Sequence, residues 1–369
     1  DYPVMYFLHG WGNNHNGYTE IYSTLDDLIG AGDIEPFICV KPDAYCNPYR
    51  GTFFVNSELY GDYEDYIVYD LIEFVDFNYR TIPERDMRYL FGHSMGGYGS
   101  MILALKHPDI FRATVSHSGL LDVNLTLVQF RAEILMENGG SPPYDYNPYA
   151  GIHTEVTFCM SGAFSPNLDN SPEQVDFPLS SGGYIIDTVM SRWALHEPSL
   201  FAGDLPPDND LAIYFDCSVN DTYLYPTNLA FMDSLDELEI DYQFHAFTGP
   251  HYVPERLYVS FVFFDSVMHS TTGVNDDNIN IPNTTILSQN YPNPFNSSTT
   301  IEYTLNESSN VKLEIYDILG RKIETLLDEQ QAAGHRKINW NASQYSSGIY
   351  FYKLSNGDNS VSKRMVLLK

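Results

Sequence analysis

The chain has 369 residues, enough for one large core and a second, smaller domain. Its 49 Asp and Glu against 19 Lys and Arg give a formal net charge of −30, which repels nucleic acid phosphates and anionic membrane surfaces. No stretch approaches the roughly 20 consecutive apolar residues of a membrane-spanning helix. We therefore expect neither a nucleic acid partner nor a membrane span.

Residues 1–267 alternate between strand-like and helix-like segments. The helix-like segments include 62–78, 95–107 and 224–239. This alternation predicts an α/β domain with a mostly parallel sheet and helices on both faces. In chain order, the strand-like runs are "VMYFLH", "PFICVKPDA", "MRYLFGHS", "FRATVSHSG", "LAIYFDC" (211–217) and "IDYQFHAF" (240–247).

Three segments depart from this alternation. Residues 120–207 are rich in Pro, Gly, Asn and Ser, which is typical of a segment that covers a binding site, with a plain surface excursion as the alternative. Residues 268–283 have the polar composition of a linker. Residues 284–369 contain short runs of alternating apolar and polar residues separated by turn signals, which predicts a small all-β sandwich.

The four cysteines are too few for a disulfide framework, and none has the C-x-x-C spacing of zinc or redox sites. Cys39 and Cys46 lie seven residues apart around a loop, so a disulfide between them is an option in an oxidising compartment. Cys159 and Cys217 lie in apolar runs, which indicates buried thiols. No ligand spacing suggests a metal or an organic cofactor, and we expect none.

The segment "RYLFGHSMGGYGS", residues 88–100, places Ser94 between glycines where a strand-like run meets a helix-like run. A turn this tight strains the backbone of the serine, and side chains two residues before and after it would collide with neighbouring backbone. Glycine at 92 and 96 avoids that collision. The pattern predicts Ser94 as a nucleophile at the carboxyl edge of the sheet, with an ordinary glycine-rich helix start as the alternative.

A serine nucleophile needs a base and an acid, which follow it in the order Asp or Glu, then His, in this architecture. His251 is the predicted base, because it lies in the loop "TGPHY" just beyond the last predicted strand of the first domain. A solvent-exposed loop histidine is the alternative. Asp221 is favoured as the acid, since it follows strand 211–217 by four residues in a loop. Asp216 is the competitor, although a position within the strand is harder to aim at the histidine.

Two backbone N–H groups are predicted to stabilise an oxyanion. Met95 supplies one at the start of the helix after Ser94. The loop "LHGWGNN" after the first strand supplies the other, at Trp11. The side chain of His9 in the same loop is expected to fix the loop and not to transfer a proton.

The first domain resembles the esterase family of α/β-hydrolases that includes S-formylglutathione hydrolase (esterase D), feruloyl esterases and mycolyltransferases. The resemblance spans most of residues 1–267 and implies Ser94, Asp221 and His251 as nucleophile, acid and base. Ser218 and Asn220 depart from it, since the family more often has glycine and an acidic residue there. The segments that carry the resemblance are "YFLHGWG", "VNSELYGDYEDYIVYDLIEFVDFNYRT", "FGHSMGGYGSMILALKHPDIFRATVSHSG", "FDCSVNDTYLY" and "GPHY".

The second domain resembles the C-terminal sorting domain of the type IX secretion system, an immunoglobulin-like sandwich, over about residues 286–369. The segments "NYPNPFNSSTTIEYTL", "VKLEIYDILGRKIETLL" and "SSGIYFYKLSNGDNSVSKRMVLLK" carry this resemblance. It implies passage through the periplasm of a bacterium, release or surface anchoring, and contact with the secretion machinery. A generic binding sandwich is the alternative. Because the sequence begins at Asp1 within a strand-like run, we expect further N-terminal strands and a signal peptide to precede it.

Together these features predict a secreted serine esterase acting on a small-molecule or polysaccharide-linked ester, for instance an acetyl or feruloyl ester. Two other functions stay open. An acyltransferase would pass the acyl group to another alcohol, and a surface-binding module would keep the fold without catalysis.

Overall fold

The computed structural model describes residues 1–270, 286–287, 290, 292–305, 308–318, 320–331, 334–356 and 359–369. The chain divides into two compact units, one of residues 1–246 and 250–279 and the other of residues 247–249 and 280–369. In the described part of the chain, no helix is long and apolar enough to cross a membrane.

The first unit is built on a six-stranded sheet with the strand order β2-β1-β5-β6-β7-β8. The pairs β2–β1, β1–β5, β5–β6 and β6–β7 are parallel. The strands are β1 (Val4–Leu8), β2 (Ile38–Val40), β5 (Arg88–His93), β6 (Ala113–His117), β7 (Ala212–Ser218) and β8 (Gln243–Phe247), with a small separate hairpin of β3 (Asn56–Ser57) and β4 (Gly61–Asp62). The α/β architecture predicted from the sequence is confirmed.

Helices cover both faces of this sheet because successive strand residues point to opposite faces and both sets are apolar. Tyr6 and Leu8 of β1 belong to the core cluster that also contains the helix after Ser94. On the other face, Phe91 of β5 packs edge-on against Phe261, with ring centroids 5.5 Å apart. The helices are α1 (Glu20–Ala31), α2 (Tyr63–Asp65), α3 (Ile72–Asn78), α4 (Met95–Lys106), α5 (Val123–Glu137), α6 (Ile152–Phe164), α7 (Asp187–Trp193), α8 (Pro198–Ala202), α9 (Tyr225–Glu237) and α10 (Leu257–His269).

Residues 120–207 hold the four helices α5 to α8. Whether this segment covers a binding site or is a plain surface excursion stays a prediction. One expectation about the first unit needs correction. The linker was expected to begin at 268, but α10 continues through His269. The run "LYVSFVFFDSVMH" is apolar nearly throughout, so it lacks the one-sided pattern by which a surface helix is recognised. The remaining linker residues, 271–283, lie outside the described residues.

The second unit consists of strands alone in its described residues, in a three-stranded sheet of order β13-β10-β9 and a four-stranded sheet of order β12-β11-β14-β15. Alternate residues of both sheets fill one core, among them Ile301 and Tyr303 of β10 and Leu313 and Ile315 of β11. These strands are β9 (Ile286–Leu287), β10 (Ser298–Leu305), β11 (Ser309–Asp317), β12 (Lys322–Gln331), β13 (Gly334–Asn341), β14 (Gly348–Asn356) and β15 (Asn359–Leu367). The alternation seen in the sequence thus produces a sandwich.

All four cysteines are free thiols. The optional disulfide between Cys39 and Cys46 is therefore not formed. Cys159 and Cys217 are buried, as their apolar surroundings predicted. Burial raises the pKa of the Cys39 thiol to about 12, so it stays protonated at neutral pH.

Candidate active site

Ser94 occupies a sharp turn between β5 and α4. Its backbone has φ 56° and ψ −115°, a conformation that strains a residue with a side chain. A hydrogen bond of 2.9 Å from the Ser94 N–H to the His117 carbonyl ties the turn to the next strand, β6. Ser94 is partly exposed, whereas the residues of α4 that follow it are buried. The strand-turn-helix setting therefore leaves Ser94 partly open to solvent at the edge of the sheet.

The glycines beside Ser94 lie where backbone segments touch. A Cβ atom at Gly92 would collide with the carbonyl of Gly96, and a Cβ atom at Gly96 would collide with the carbonyl of Leu8 in β1. The obstructing atoms are backbone, so they cannot rotate away as a flexible side chain could. The steric reason proposed for glycine at both positions is confirmed.

His251 and Asp221 form a hydrogen-bonded pair at the same edge of the sheet. The distance from His251 Nδ1 to Asp221 Oδ2 is 2.7 Å. The side chain of His251 is 40% exposed, whereas that of Asp221 is 8% exposed. A half-exposed imidazole held through Nδ1 by a buried carboxylate is the arrangement of a histidine base and its orienting acid.

Asp221 is anchored from both of its oxygens. Its Oδ1 atom accepts hydrogen bonds from the backbone N–H groups of Leu224, at 3.0 Å, and Tyr223, at 3.3 Å. Burial raises the pKa of the Asp221 carboxyl, but the hydrogen bonds and charge of His251 and these N–H groups outweigh burial and hold the pKa below its usual value. Asp221 is therefore a fixed anion that orients His251.

Asp216, the competing acid, bonds to a different histidine. It is fully buried in β7, and its carboxylate accepts from His117 Nδ1 at 3.0 Å and from Arg256 Nη2 at 2.7 Å. The other ring nitrogen of His117, Nε2, lies 2.8 Å from the hydroxyl oxygen of Ser260 in α10. Because Asp216 is committed to this buried network, Asp221 is the carboxylate that meets His251.

The loop after β1 presents the N–H of Trp11. Its indole Nε1 donates to the Tyr49 carbonyl at 2.8 Å, and the Arg50 guanidinium lies 4.6 Å from the ring centroid. Met95 is the first residue of α4, where a backbone N–H has no carbonyl acceptor within its own helix, so this N–H and that of Trp11 are the candidate donors to an oxyanion.

His9 has a structural role, as expected. Its Nδ1 donates to the Gly10 carbonyl at 2.9 Å, and its Nε2 accepts from the Ala44 N–H at 2.9 Å. Burial lowers the pKa of the ring, which stays neutral and joins two loops.

The structure brings Asp221 to His251, and it brings the ring of His251 to 4.7 Å from the ring of His93, the residue before Ser94. Within residues 1–270, no hydrogen bond joins the Ser94 hydroxyl to His251. Catalytic hydrogen bonds of unliganded enzymes are often long and tighten when substrate binds. Sequence reasoning missed the contacts of His93 with Tyr18 and His251, although its place in the "GHS" motif was a signal.

Comparisons with known proteins identify what this part of the chain is similar to. A family model described as "Putative esterase" matches residues 1–253. An esterase of Mycobacterium tuberculosis strain H37Rv is 27% identical over 260 residues, which cover 68% of this chain and 48% of that protein. The chain thus spans about half the length of this relative. An endo-1,4-beta-xylanase/feruloyl esterase of Xylanibacter ruminicola is 31% identical over 117 residues, 30% of this chain and 15% of that protein.

A solved structure of a ferulic acid esterase has a similar fold. Its TM-score is 0.50 at 19% sequence identity, and the match covers 72% of this chain and 86% of that chain. At this identity the likeness concerns the fold, which is that of the α/β-hydrolases.

The C-terminal residues match a second family model. Residues 289–368 correspond to a secretion system C-terminal sorting domain, of the type IX system. This tail indicates a secreted or cell-surface protein. The chain belongs to the esterase family of α/β-hydrolases and carries a type IX sorting domain at its C-terminal end.

Proposed function

We propose that this protein is a serine esterase that hydrolyses carboxylic esters through an acyl-enzyme. The observation that carries the proposal is the Asp221–His251 hydrogen bond at the edge of the sheet where Ser94 is partly exposed. The esterase family match over residues 1–253 supports the same chemistry.

In the first half of the reaction, the Ser94 hydroxyl attacks the ester carbonyl while His251 takes its proton. Asp221 stabilises the imidazolium that forms. The N–H groups of Trp11 and Met95 receive the negative charge that develops on the carbonyl oxygen. The tetrahedral intermediate collapses, and the alcohol leaves with the proton from His251.

In the second half, water attacks the acyl-enzyme. His251 takes a proton from the water, and the second tetrahedral intermediate releases the carboxylic acid and restores the Ser94 hydroxyl. An acceptor alcohol in place of water would make the same site an acyltransferase. Product analysis with competing alcohols separates these two reactions.

For the substrate, we propose an acetyl or feruloyl ester carried by a polysaccharide. The feruloyl esterase name of the Xylanibacter ruminicola relative and the delivery of this chain out of the cell support this substrate class. A screen of p-nitrophenyl acetate against methyl hydroxycinnamates tests it, since an aromatic acyl preference appears as a higher kcat/KM for the hydroxycinnamates.

The nucleophile is tested by covalent labelling. A fluorophosphonate probe should phosphonylate Ser94 in the folded protein, and mass spectrometry of the digested protein locates the adduct. An ester that the protein hydrolyses should slow labelling when it is present together with the probe, because the ester and the fluorophosphonate compete for one site. An adduct on another serine, or none in active protein, contradicts the assignment.

We further propose that residues 284–369 serve delivery and that residues 1–267 hold the chemistry. All of the proposed catalytic groups lie between Trp11 and His251. In the native host, a chain ending at Ser270 should stay in the periplasm, where immunoblots of cell fractions would detect it. Normal export of this shortened chain would refute the role of the sandwich.

A further inference from the structure

A chain of hydrogen bonds links three loops around Ser94. The Gly10 N–H lies 3.1 Å from the Tyr18 hydroxyl oxygen, and that oxygen lies 2.9 Å from Nδ1 of His93. Nε2 of His93 lies 3.2 Å from the backbone carbonyl of His251. Gly10 precedes Trp11 and His93 precedes Ser94, so each end of this chain adjoins a proposed catalytic group.

The direction of each hydrogen bond follows from its chemistry. A carbonyl only accepts, so Nε2 of His93 donates to His251. In a neutral imidazole Nδ1 then accepts, so the Tyr18 hydroxyl donates to it while its oxygen accepts from Gly10. Burial, followed by the nearby His251 ring, lowers the pKa of His93 well below its ordinary value, which agrees with a neutral ring.

Tyr18 is held in an unusual conformation to make these contacts. Its φ is 54°, in the left-handed region that bulky side chains rarely adopt. The Lys41 ammonium hydrogen-bonds to the Gly17 and Tyr18 carbonyls and so fixes the turn. The Tyr18 ring packs on Phe7 of β1, with centroids 4.7 Å apart. Strain of this kind persists only where surrounding contacts over-determine it, and it concentrates at functional sites.

The approach of the Gly10 loop leaves little spare room. A Cβ atom at Gly10 would lie 2.7 Å from the Tyr18 hydroxyl oxygen and 3.2 Å from Nδ1 of His93. Gly10, in the loop that carries Trp11, therefore packs directly against the Tyr18 hydroxyl and the His93 ring.

We propose that Tyr18 and His93 are positioning residues that fix the Trp11 loop and the His251 loop relative to Ser94. This inference rests on the proposed esterase function. Tyr18 sets the oxyanion N–H of Trp11 through Gly10, and His93 sets the backbone of His251. Neither side chain takes a proton from the substrate, so the proposed effect is on geometry, which governs the chemical step more than binding.

Tyr18→Phe tests the inference, with Tyr89→Phe as the matched control. Tyr89 is buried and donates its hydroxyl to one carbonyl, that of Asp86, but lies at the end of β5 remote from Ser94. With p-nitrophenyl acetate, we expect Tyr18→Phe to lower kcat about 10- to 100-fold with KM nearly unchanged, since small misplacements carry costs of this order. Tyr89→Phe should leave both constants near those of the wild type. Equal kinetics in the two variants would overturn the proposal.

His93 is tested by a pair of variants. His93→Leu removes both hydrogen bonds, whereas the side-chain amide of His93→Gln retains a donor for the His251 carbonyl. We expect kcat of His93→Gln to be at least about tenfold higher than that of His93→Leu, because the amide again donates a hydrogen bond to the loop that carries His251. Equal kcat values in two folded variants would contradict the role of His93. If either variant fails to fold, the Tyr18 comparison still decides.

Failure of the esterase function itself gives a different result. If fluorophosphonate does not label Ser94 and the wild type hydrolyses no ester, the proposed function fails and with it the reason for positioning. If Ser94 is labelled at the same rate in wild type, Tyr18→Phe and Tyr89→Phe, the esterase assignment stands and the positioning proposal alone is overturned.

Discussion

Two sets of serine, histidine and aspartate lie at the carboxyl side of the same sheet. In one, His251 pairs with Asp221 near Ser94, and its imidazole is 40% exposed. In the other set, His117 joins Asp216 to Ser260 through hydrogen bonds of 3.0 and 2.8 Å. The second set has the more complete hydrogen bonding, yet all three of its side chains are buried.

The two sets differ in solvent access and in the backbone conformation of the serine. Ser260 lies within helix α10, with ordinary helical backbone and no access for an ester, whereas Ser94 lies on a strained turn open to solvent. Arg256 also neutralises Asp216, so the buried set is an ion-pair network that joins β6, β7 and α10. We therefore expect the buried set to contribute to stability and the exposed set to contribute to the proposed chemistry.

The largest expected effect separates the two serines. Ser94→Ala should lower kcat/KM for p-nitrophenyl acetate about 10⁴- to 10⁶-fold, as loss of a nucleophile does. Ser260→Ala should leave kcat/KM within about twofold, because its hydroxyl never meets substrate. Steady-state kinetics of both purified variants checks this, and a Ser94→Ala variant that retains more than about a tenth of the activity would remove Ser94 from the nucleophile role.

The two aspartates should divide in the same way. Asp221→Asn is expected to reduce kcat about 10⁴-fold, because an amide favours the wrong histidine tautomer and cannot stabilise the imidazolium. Asp216→Asn should reduce kcat much less in correctly folded protein. Circular dichroism establishes folding before the rates are compared. The reverse ranking would transfer the role of the acid to Asp216.

For stability, the ranking should invert. Asp216→Asn replaces the buried carboxylate that pairs with His117 and Arg256 by a neutral amide and leaves Arg256 without its buried counter-ion. We therefore expect a loss of about 3 to 5 kcal/mol in the free energy of unfolding. Asp221→Asn, beside a half-exposed histidine, should cost about 1 kcal/mol. Urea titrations of both variants measure these values. Equal losses would mean that the buried network stabilises the fold no more than the Asp221–His251 pair does.

A smaller effect should appear in the pH dependence of stability. Burial raises the pKa of Asp216, but His117 and Arg256 outweigh it and hold the pKa below its usual value of about 3.9. The unfolded state therefore binds more protons near that pH, and stability falls as the pH decreases through about 5 to 4 and below.

The slope of this pH dependence distinguishes the two carboxylates. Between about pH 6 and 3.5, the urea midpoint of Asp216→Asn should change less steeply than that of the wild type, since the titrating group is gone. Asp221→Asn should keep more of the wild-type slope. Urea titrations across this range test both expectations, and a steeper slope in Asp216→Asn would contradict them.

The residues of the exposed set were predictable from the sequence because their requirements are local. Gly92 and Gly96 avoid backbone collisions close to Ser94 in the sequence, so the pattern is visible locally. The order of acid and base along the chain is fixed by the fold. Asp221 was already favoured over Asp216 from the sequence, and the structure adds that Asp216, within β7, and Asp221, in the loop after it, direct their carboxylates to different histidines.

The buried network and the contacts of Tyr18 were beyond sequence reasoning. His117 and Ser260 are 143 residues apart, and Tyr18 and His93 are 75 apart, so no local pattern links them. The sandwich was predicted more readily, since alternation along β10 and β11 directly reflects which side chains enter its core.

The collision of any side chain at Gly96 with the Leu8 carbonyl has a consequence for variation in this protein. In a saturation library sorted only for soluble expression, positions 92 and 96 should be depleted of every residue but glycine, while Ser94 tolerates small replacements such as alanine. Sorting the same library for ester hydrolysis should then remove the Ser94 variants as well. The two selections in sequence would thus show, position by position, which residues of the turn around Ser94 are needed for the backbone and which are needed for the reaction.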